Sequence, residues 1–94
     1  MYIVSLSYTR PMDEVDALLD AHIAWLDKYF AEGIFITAGR KEPRTGGVIV
    51  VRDIDRERLN SILQEDAFQA VAEYEVTRVN ITRAADEFTA LIGC

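Results

Sequence analysis

Apolar and polar residues alternate at the start of the chain, and this period of two predicts a β-strand over Tyr2–Tyr8. Arg10-Pro11 ends the strand, because proline cannot continue a ladder of backbone hydrogen bonds. Over Asp13–Ala31 the period changes to 3.6 residues, which predicts a helix. The apolar stripe expected to face the core consists of Val15, Leu18, Leu19, Ile23, Leu26 and Phe30.

Two short runs rich in β-branched residues, Ile34–Ala38 and Val48–Arg52, predict two more strands joined by a long polar loop. Arg56–Glu65 follows with helical spacing, and the next four residues, 66–69, predict a turn with a helical piece of its own. Tyr74–Thr82 predicts the last strand.

The alternation slips within this last strand. Tyr74 and Val76 share one parity, whereas Val79 and Ile81 have the other. Either a β-bulge near Thr77-Arg78 or a strand with one polar-lined face accounts for the slip.

The predicted order is β-α-β-β-α-β, a ferredoxin-like α+β arrangement in one domain over residues 1–94, followed by a helical turn over 86–92. Right-handed crossovers then place both helices on one face of a four-stranded antiparallel sheet. We expect Tyr2, Val4, Ile49 and Val51 on the other face. Because that face would be apolar and uncovered, we expect it to stack against a second copy in a homodimer.

Composition and net charge disfavour some classes of binding partner. Of the 94 residues 50% are apolar and 28% are charged, and the net charge is −6, which disfavours nucleic acid and anionic membranes. We expect no membrane span and no secretory signal, and therefore a cytoplasmic protein. Cys94 is the only cysteine, which excludes an intrachain disulfide. No pair of residues has metal-ligand spacing, so we expect neither metal nor cofactor.

His22, the only histidine, falls on the sheet-facing stripe of the first helix or at its border. One interpretation is a border histidine that bonds to backbone or water. The other is a general acid/base, because histidine titrates near neutral pH and a carboxylate partner can tune it.

Asp66 lies in the segment Glu65-Asp66-Ala67-Phe68, just after the second helix. An acid there commonly caps the following turn. In a split βαβ fold, however, the two helices lie side by side, so the end of the second can approach the middle of the first. Asp66 would then orient the imidazole of His22.

Arg40, Lys41 and Arg44 form a basic cluster in the loop between the second and third strands of an acidic chain. The cluster is either a solvated turn or a rim that receives an anion, since a guanidinium group matches a carboxylate or phosphate through two parallel hydrogen bonds. Ser5 and Ser7 share one face of the first strand, where hydroxyls either line an edge or cleft or contact a ligand.

Five segments carry a resemblance to a known family through their order and spacing. They are Tyr2–Tyr8, Ala21–Leu26 (AHIAWL), Phe35–Arg40 (FITAGR), Pro43–Ile49 (PRTGGVI) and Glu65–Phe68 (EDAF). Over nearly its whole length the chain resembles the YCII-related (YciI-like) family. That family's turn usually reads Asp-Pro-Phe; here Ala67 replaces the proline, while the acid and the aromatic residue are kept.

The resemblance implies a ferredoxin-like subunit that dimerises into an α+β barrel with a cleft in each subunit. It also implies that His22 and Asp66 are the family's His–Asp pair. Related dimeric barrels include muconolactone isomerase and a dehydrochlorinase acting on a hydroxylated chloroaromatic. The fold also hosts monooxygenases, stress-response proteins and ligand-binding modules, so the fold alone does not fix the function.

Three hypotheses follow. The first is a cofactor-free enzyme in which His22, oriented by Asp66, isomerises or eliminates a small anionic substrate, aromatic or lactone-like, bound by Arg40, Arg44 and Ser7. The second is a non-catalytic domain that binds a small molecule in the same pocket. The third is a dimerisation module whose histidine is merely packed.

Overall fold

A computed structural model describes all 94 residues. The strands are β1 Tyr2–Tyr8, β2 Phe35–Arg40, β3 Gly46–Val51 and β4 Ala72–Arg78. The helices are α1 Met12–Ala17, α2 Leu19–Ala31 and α3 Arg56–Gln64, and two 3₁₀ turns cover Ala67–Ala70 and Asp86–Leu91.

The four strands form one antiparallel sheet in the order β2-β3-β1-β4, which is the ferredoxin-like α+β fold that the element order predicts. β1 lies in the centre between β3 and β4. Its residue Val4 pairs with Ile49 on one side and with Val76 on the other. The site described below is built against this central strand.

One hydrophobic core fills the space between the sheet and the helices. Its largest fully buried side chains are Phe68, Leu59, Val4, Val15 and Val51. Trp25 Nε1 donates a 2.9 Å hydrogen bond to the backbone oxygen of Ile62, which joins α2 to α3 within the core. The longest helix has 13 residues, and no helix combines the length and apolar character of a membrane span.

The prediction of which face of the sheet is open was wrong. Tyr2, Val4, Ile49 and Val51 are buried in the core beneath the helices. The open face instead carries the alternate residues of β1, beginning with Ile3, and their partners on the neighbouring strands. Alternation shows which side chains share a face of the sheet but not which face the helices cover. The helices cover the more apolar of the two, because burying serine costs more than burying valine or leucine.

The predicted single helix is divided into α1 and α2 at Leu18, whose backbone lies at φ −104° and ψ 0°. The apolar stripe of α2 agrees with the prediction in part, since Leu19 and Leu26 pack against the core. Trp25 and Tyr29 are buried, while Ile23 and Phe30 are exposed. His22 lies three residues before the buried Trp25 and therefore faces the core side of the helix, as the sequence predicts.

The predicted irregularity in the last strand was also placed wrongly. β4 ends at Arg78 and pairs with β1 without any shift in register, so Val79 and Ile81 simply lie beyond the strand. The structure has its bulge in β2 instead, between Phe35 and Thr37.

Candidate functional site

His22 and Asp66 are in direct contact. Imidazole Nδ1 lies 2.7 Å from carboxylate Oδ1, so the segment just after α3 approaches the first turn of α2. Both groups are withdrawn from solvent: the His22 side chain is 12% exposed and that of Asp66 is fully buried. The contact therefore operates at low dielectric, where a hydrogen bond to a charged group is strong.

Asp66 accepts three hydrogen bonds. Oδ1 accepts from His22 and from the backbone N–H of Phe68 at 3.0 Å, and Oδ2 accepts from the Tyr74 hydroxyl at 2.5 Å. The bond to Phe68 caps the 3₁₀ turn Ala67–Ala70. The two roles considered for Asp66 are thus combined in one side chain. These donors offset the cost of burying the carboxylate.

The imidazole of His22 is fixed in orientation by its neighbours. Its ring stacks on Phe68 with centroids 3.8 Å apart and planes 5° from parallel. A carboxylate can only accept, so Nδ1 carries the proton toward Asp66. In neutral imidazole this leaves Nε2 as an unprotonated acceptor, because the one side-chain hydrogen bond of His22 is formed by Nδ1.

His22 lines a cavity of about 190 Å³ between α2 and the ends of β1, β2 and β3. Most of the wall is apolar and comes from Leu6, Leu19, Ile23, Leu26, Ile49 and Phe68. The polar groups are few, and they include His22, Tyr8, Arg40 and Arg44. An apolar pocket with a small number of convergent polar groups is typical of a small-molecule site.

Arg44 lines the cavity, and its side chain is held by Asp16, which does not line it. Asp16 Oδ1 accepts a 3.0 Å hydrogen bond from Arg44 Nη2. This hydrogen bond raises the pKa of Arg44, so the guanidinium group keeps its charge. Its Nε is buried and has no hydrogen-bond partner. The loop that carries Arg44 is tied to β1 by the Tyr8 N–H, which donates to the Thr45 oxygen at 2.9 Å.

The other basic residues of the loop and Ser7 are placed differently. Arg40 lines the cavity but is exposed. Ser7 lies on the open face of the sheet, where its Oγ accepts a 3.3 Å hydrogen bond from Lys41. Neither Ser7 nor Lys41 lines the cavity, so the structure brings together His22, Asp66, Arg40 and Arg44 but not Ser7.

Comparison with known protein families shows which family the chain belongs to. A model of the YCII-related domain matches residues 1–82. The chain belongs to the YCII-related domain family. No curated protein matches it. The match to the YCII-related domain includes β4 and every residue of the site described above. The last twelve residues, 83–94, lie beyond the matched region and expose Phe88 and Ile92.

Sequence reasoning did not find all the residues that build the site in this YCII-related domain. It missed Tyr74, which reaches Asp66, and Asp16, which holds Arg44. The parity of Tyr74 and Val76 puts both side chains on one face of β4, but only the sheet register places Tyr74 opposite Leu6 on the core face. No group of three or more His, Cys, Asp or Glu side chains is placed to hold a metal ion.

Proposed function

We propose that the protein is a small cofactor-free acid–base enzyme. His22 is its proton-transferring group, and Asp66 fixes the tautomer and orientation of the imidazole. The observation that carries the proposal is the 2.7 Å contact between Nδ1 and Oδ1 in the wall of a mostly apolar cavity. Because Nδ1 faces Asp66, Nε2 on the opposite edge of the ring is the nitrogen left to react with a small molecule in the cavity.

The reactions that this arrangement suits are isomerisation and elimination. In an isomerisation, Nε2 accepts a proton from one carbon and returns it to another as the double bond moves. In an elimination, the electron pair left by the proton forms a double bond and expels a leaving group. Both need proton transfer and a bound anion, and Arg40 and Arg44 supply positive charge beside the cavity. The apolar wall suits an aromatic or lactone ring.

The working unit that we propose is a cytoplasmic homodimer. Ile3, Val48 and Val50 lie on the open face of the sheet and are only half-buried. Stacking two such faces would cover these apolar side chains in both copies, with the two sites on the outside of the stacked sheets. A single cysteine without a disulfide partner agrees with a reducing compartment.

The alternative function is binding without turnover, as a ligand-binding or accessory domain. The scarcity of polar groups in the cavity favours it, because an apolar pocket with one arginine is enough to hold a metabolite. A module that only dimerises is less well supported, since it gives no role to a buried carboxylate that accepts from an imidazole.

Deuterium exchange separates catalysis from binding. The protein is incubated in D₂O with a library of small carboxylic acids, phenols and lactones, and each compound is followed by mass spectrometry. We expect at least one compound to gain deuterium or to be converted with the wild type. His22→Gln should abolish the effect, and Asp66→Asn should slow it about 10- to 100-fold because the tautomer is no longer fixed.

Arg58→Gln is the matched control for these variants, because Arg58 is exposed on α3 and remote from the cavity. It should exchange deuterium at the wild-type rate. If compounds raise the melting temperature of the wild type but none exchanges deuterium or reacts, the protein is a binding domain and the proposed catalysis is wrong.

A further inference from the structure

The guanidinium group of Arg44 has more donors than the protein satisfies. Arginine carries five N–H donors; the acceptor at full hydrogen-bond geometry here is Asp16 on Nη2, and the Tyr8 side chain also lies beside the guanidinium group. Nε is buried without a partner, while the side chain as a whole is 28% exposed and borders the cavity. Because Nε has no accessible surface, the donors open to a ligand are those of the terminal nitrogens that Asp16 leaves free.

Arg44 is also held by more contacts than Arg40, the other arginine at the cavity. The ion pair with Asp16 and the backbone bond from Tyr8 to Thr45 hold it, whereas Arg40 is exposed and makes no hydrogen bond through its side chain. A side chain that is already fixed loses less entropy when it binds a ligand. The specific anion contact therefore belongs to Arg44.

We propose that Arg44 binds the carboxylate of a monoanionic ligand whose flat apolar body fills the cavity beside His22. The inference rests on the proposed function for the role of His22, and it adds the ligand class and the residue that anchors it. A carboxylate matches the planar guanidinium through two parallel hydrogen bonds.

Size and charge define this class further. The cavity measures about 190 Å³, and an apolar cavity of about 150 Å³ accepts benzene, so a benzoate-sized ligand fits. Asp16 neutralises part of the charge of Arg44, and no serine or threonine lines the cavity. The two arginines less Asp16 leave one positive charge, which matches a single carboxylate and not a phosphate dianion.

The ligand's orientation follows from these contacts. With the carboxylate at Arg44 and the ring among the apolar side chains, the body of the ligand extends along the cavity toward Nε2 of His22. The proton that His22 removes would then come from the apolar body and not from the acid group.

Benzoate, benzamide, phenyl phosphate and inorganic phosphate are the probes for a calorimetric titration of the wild-type protein. Benzoate should bind one per chain and shift the NMR signals of the single imidazole. Benzamide, which has the same shape without the charge, should bind at least about tenfold more weakly. Both phosphates should be weaker than benzoate.

Variants of Arg44 and of one arginine outside the cavity test this contact. Arg44→Gln should weaken benzoate about tenfold or more, and Arg44→Lys should recover only part of the affinity because it keeps the charge and loses the fork. The matched control is Arg78→Gln, which removes the guanidinium group of an ion pair with Asp53 outside the cavity lining, and it should stay within about threefold of the wild type. Circular dichroism of each variant checks that it folds.

Equal binding of benzamide and benzoate, or unchanged benzoate affinity in Arg44→Gln, would overturn the proposal. So would tighter binding of either phosphate, or an equal loss of affinity in Arg78→Gln and Arg44→Gln. Its failure is distinct from that of catalysis. If benzoate binds through Arg44 but no compound exchanges deuterium, the carboxylate site stands and the proposed catalysis is wrong. If deuterium exchange is unchanged in Arg44→Gln, the catalysis stands and the carboxylate site is wrong.

Discussion

At the scale of single residues, Asp66 is the side chain on which the site depends. It is the only polar or charged residue in the buried set, and it links α2, the 3₁₀ turn and β4 through three donors. Each donor comes from a different part of the chain. The orientation of His22 is therefore fixed by the fold as a whole and not by its own helix.

Tyr74 gives this network a measurable pH dependence. Burial, followed by the hydrogen bond and charge of Asp66, raises the pKa of Tyr74 above its ordinary value of 10.0. The folded state keeps the phenolic proton where the unfolded chain loses it, so this stabilisation is complete below about pH 10 and declines as the pH rises further. The free energy of unfolding should fall more steeply for the wild type than for Tyr74→Phe, by up to about 1.4 kcal/mol per pH unit.

Urea denaturation at several values between about pH 9 and 11.5 measures this difference. Tyr29 titrates in both proteins, so its contribution cancels in the comparison. Parallel curves for the wild type and Tyr74→Phe would mean that the Tyr74 hydroxyl is not held by Asp66 in solution.

At the scale of elements, the loop between β2 and β3 is positioned by the close approach of two backbones. A Cβ atom on Gly46 would lie 1.8 Å from the backbone oxygen of Leu6, a distance that no side chain can occupy. β3 can therefore run beside β1 at this point only because residue 46 has no side chain. The loop that carries Arg44 ends at this contact, where β3 begins.

Gly46→Ala should lower the free energy of unfolding by about 1–3 kcal/mol, because one of the two strands must move. The displacement should also weaken benzoate binding through Arg44. Gly39→Ala is the matched control in the neighbouring strand, since nothing lies within 4 Å of its added Cβ. A Gly46→Ala protein as stable as Gly39→Ala would show that the strands separate there at no cost.

The elements themselves could be predicted because periodicity depends on local sequence. β1 has the predicted bounds, and α3 ends one residue before its predicted end. The orientation of each element could not be predicted, since it depends on what packs against it. For this reason the open face of the sheet was assigned wrongly, and the stripe of α2 was right at Leu19 and Leu26 but wrong at Ile23 and Phe30. The contact of His22 with Asp66 was predicted because the order of elements constrains which helix ends meet.

At the scale of the whole molecule, one face of the sheet lies outside the core. Its centre is apolar, with Ile3, Val48 and Val50, and its β4 edge carries Glu73 and Glu75. An apolar centre with a charged border is typical of an interface between subunits. The acidic edge also discourages further strands from adding to β4.

Val50→Lys should convert the proposed dimer into a monomer, because stacking would place two charges in the apolar centre without partners. Light scattering should give about twice 10.6 kDa for the wild type and 10.6 kDa for the variant. Ala24→Lys, on the exposed side of α2, adds the same charge and should remain dimeric. A wild type that is monomeric at micromolar concentration would rule out the proposed dimer.

The position of Trp25 has a practical consequence. It is the only tryptophan in the chain, it is buried where α2 meets α3, and its ring centre lies 5.6 Å from that of His22. Indole fluorescence responds both to exposure and to a charge placed nearby. The protein therefore contains its own optical reporter. Separation of the two helices and arrival of a molecule beside the imidazole would each alter one emission signal, without any attached label.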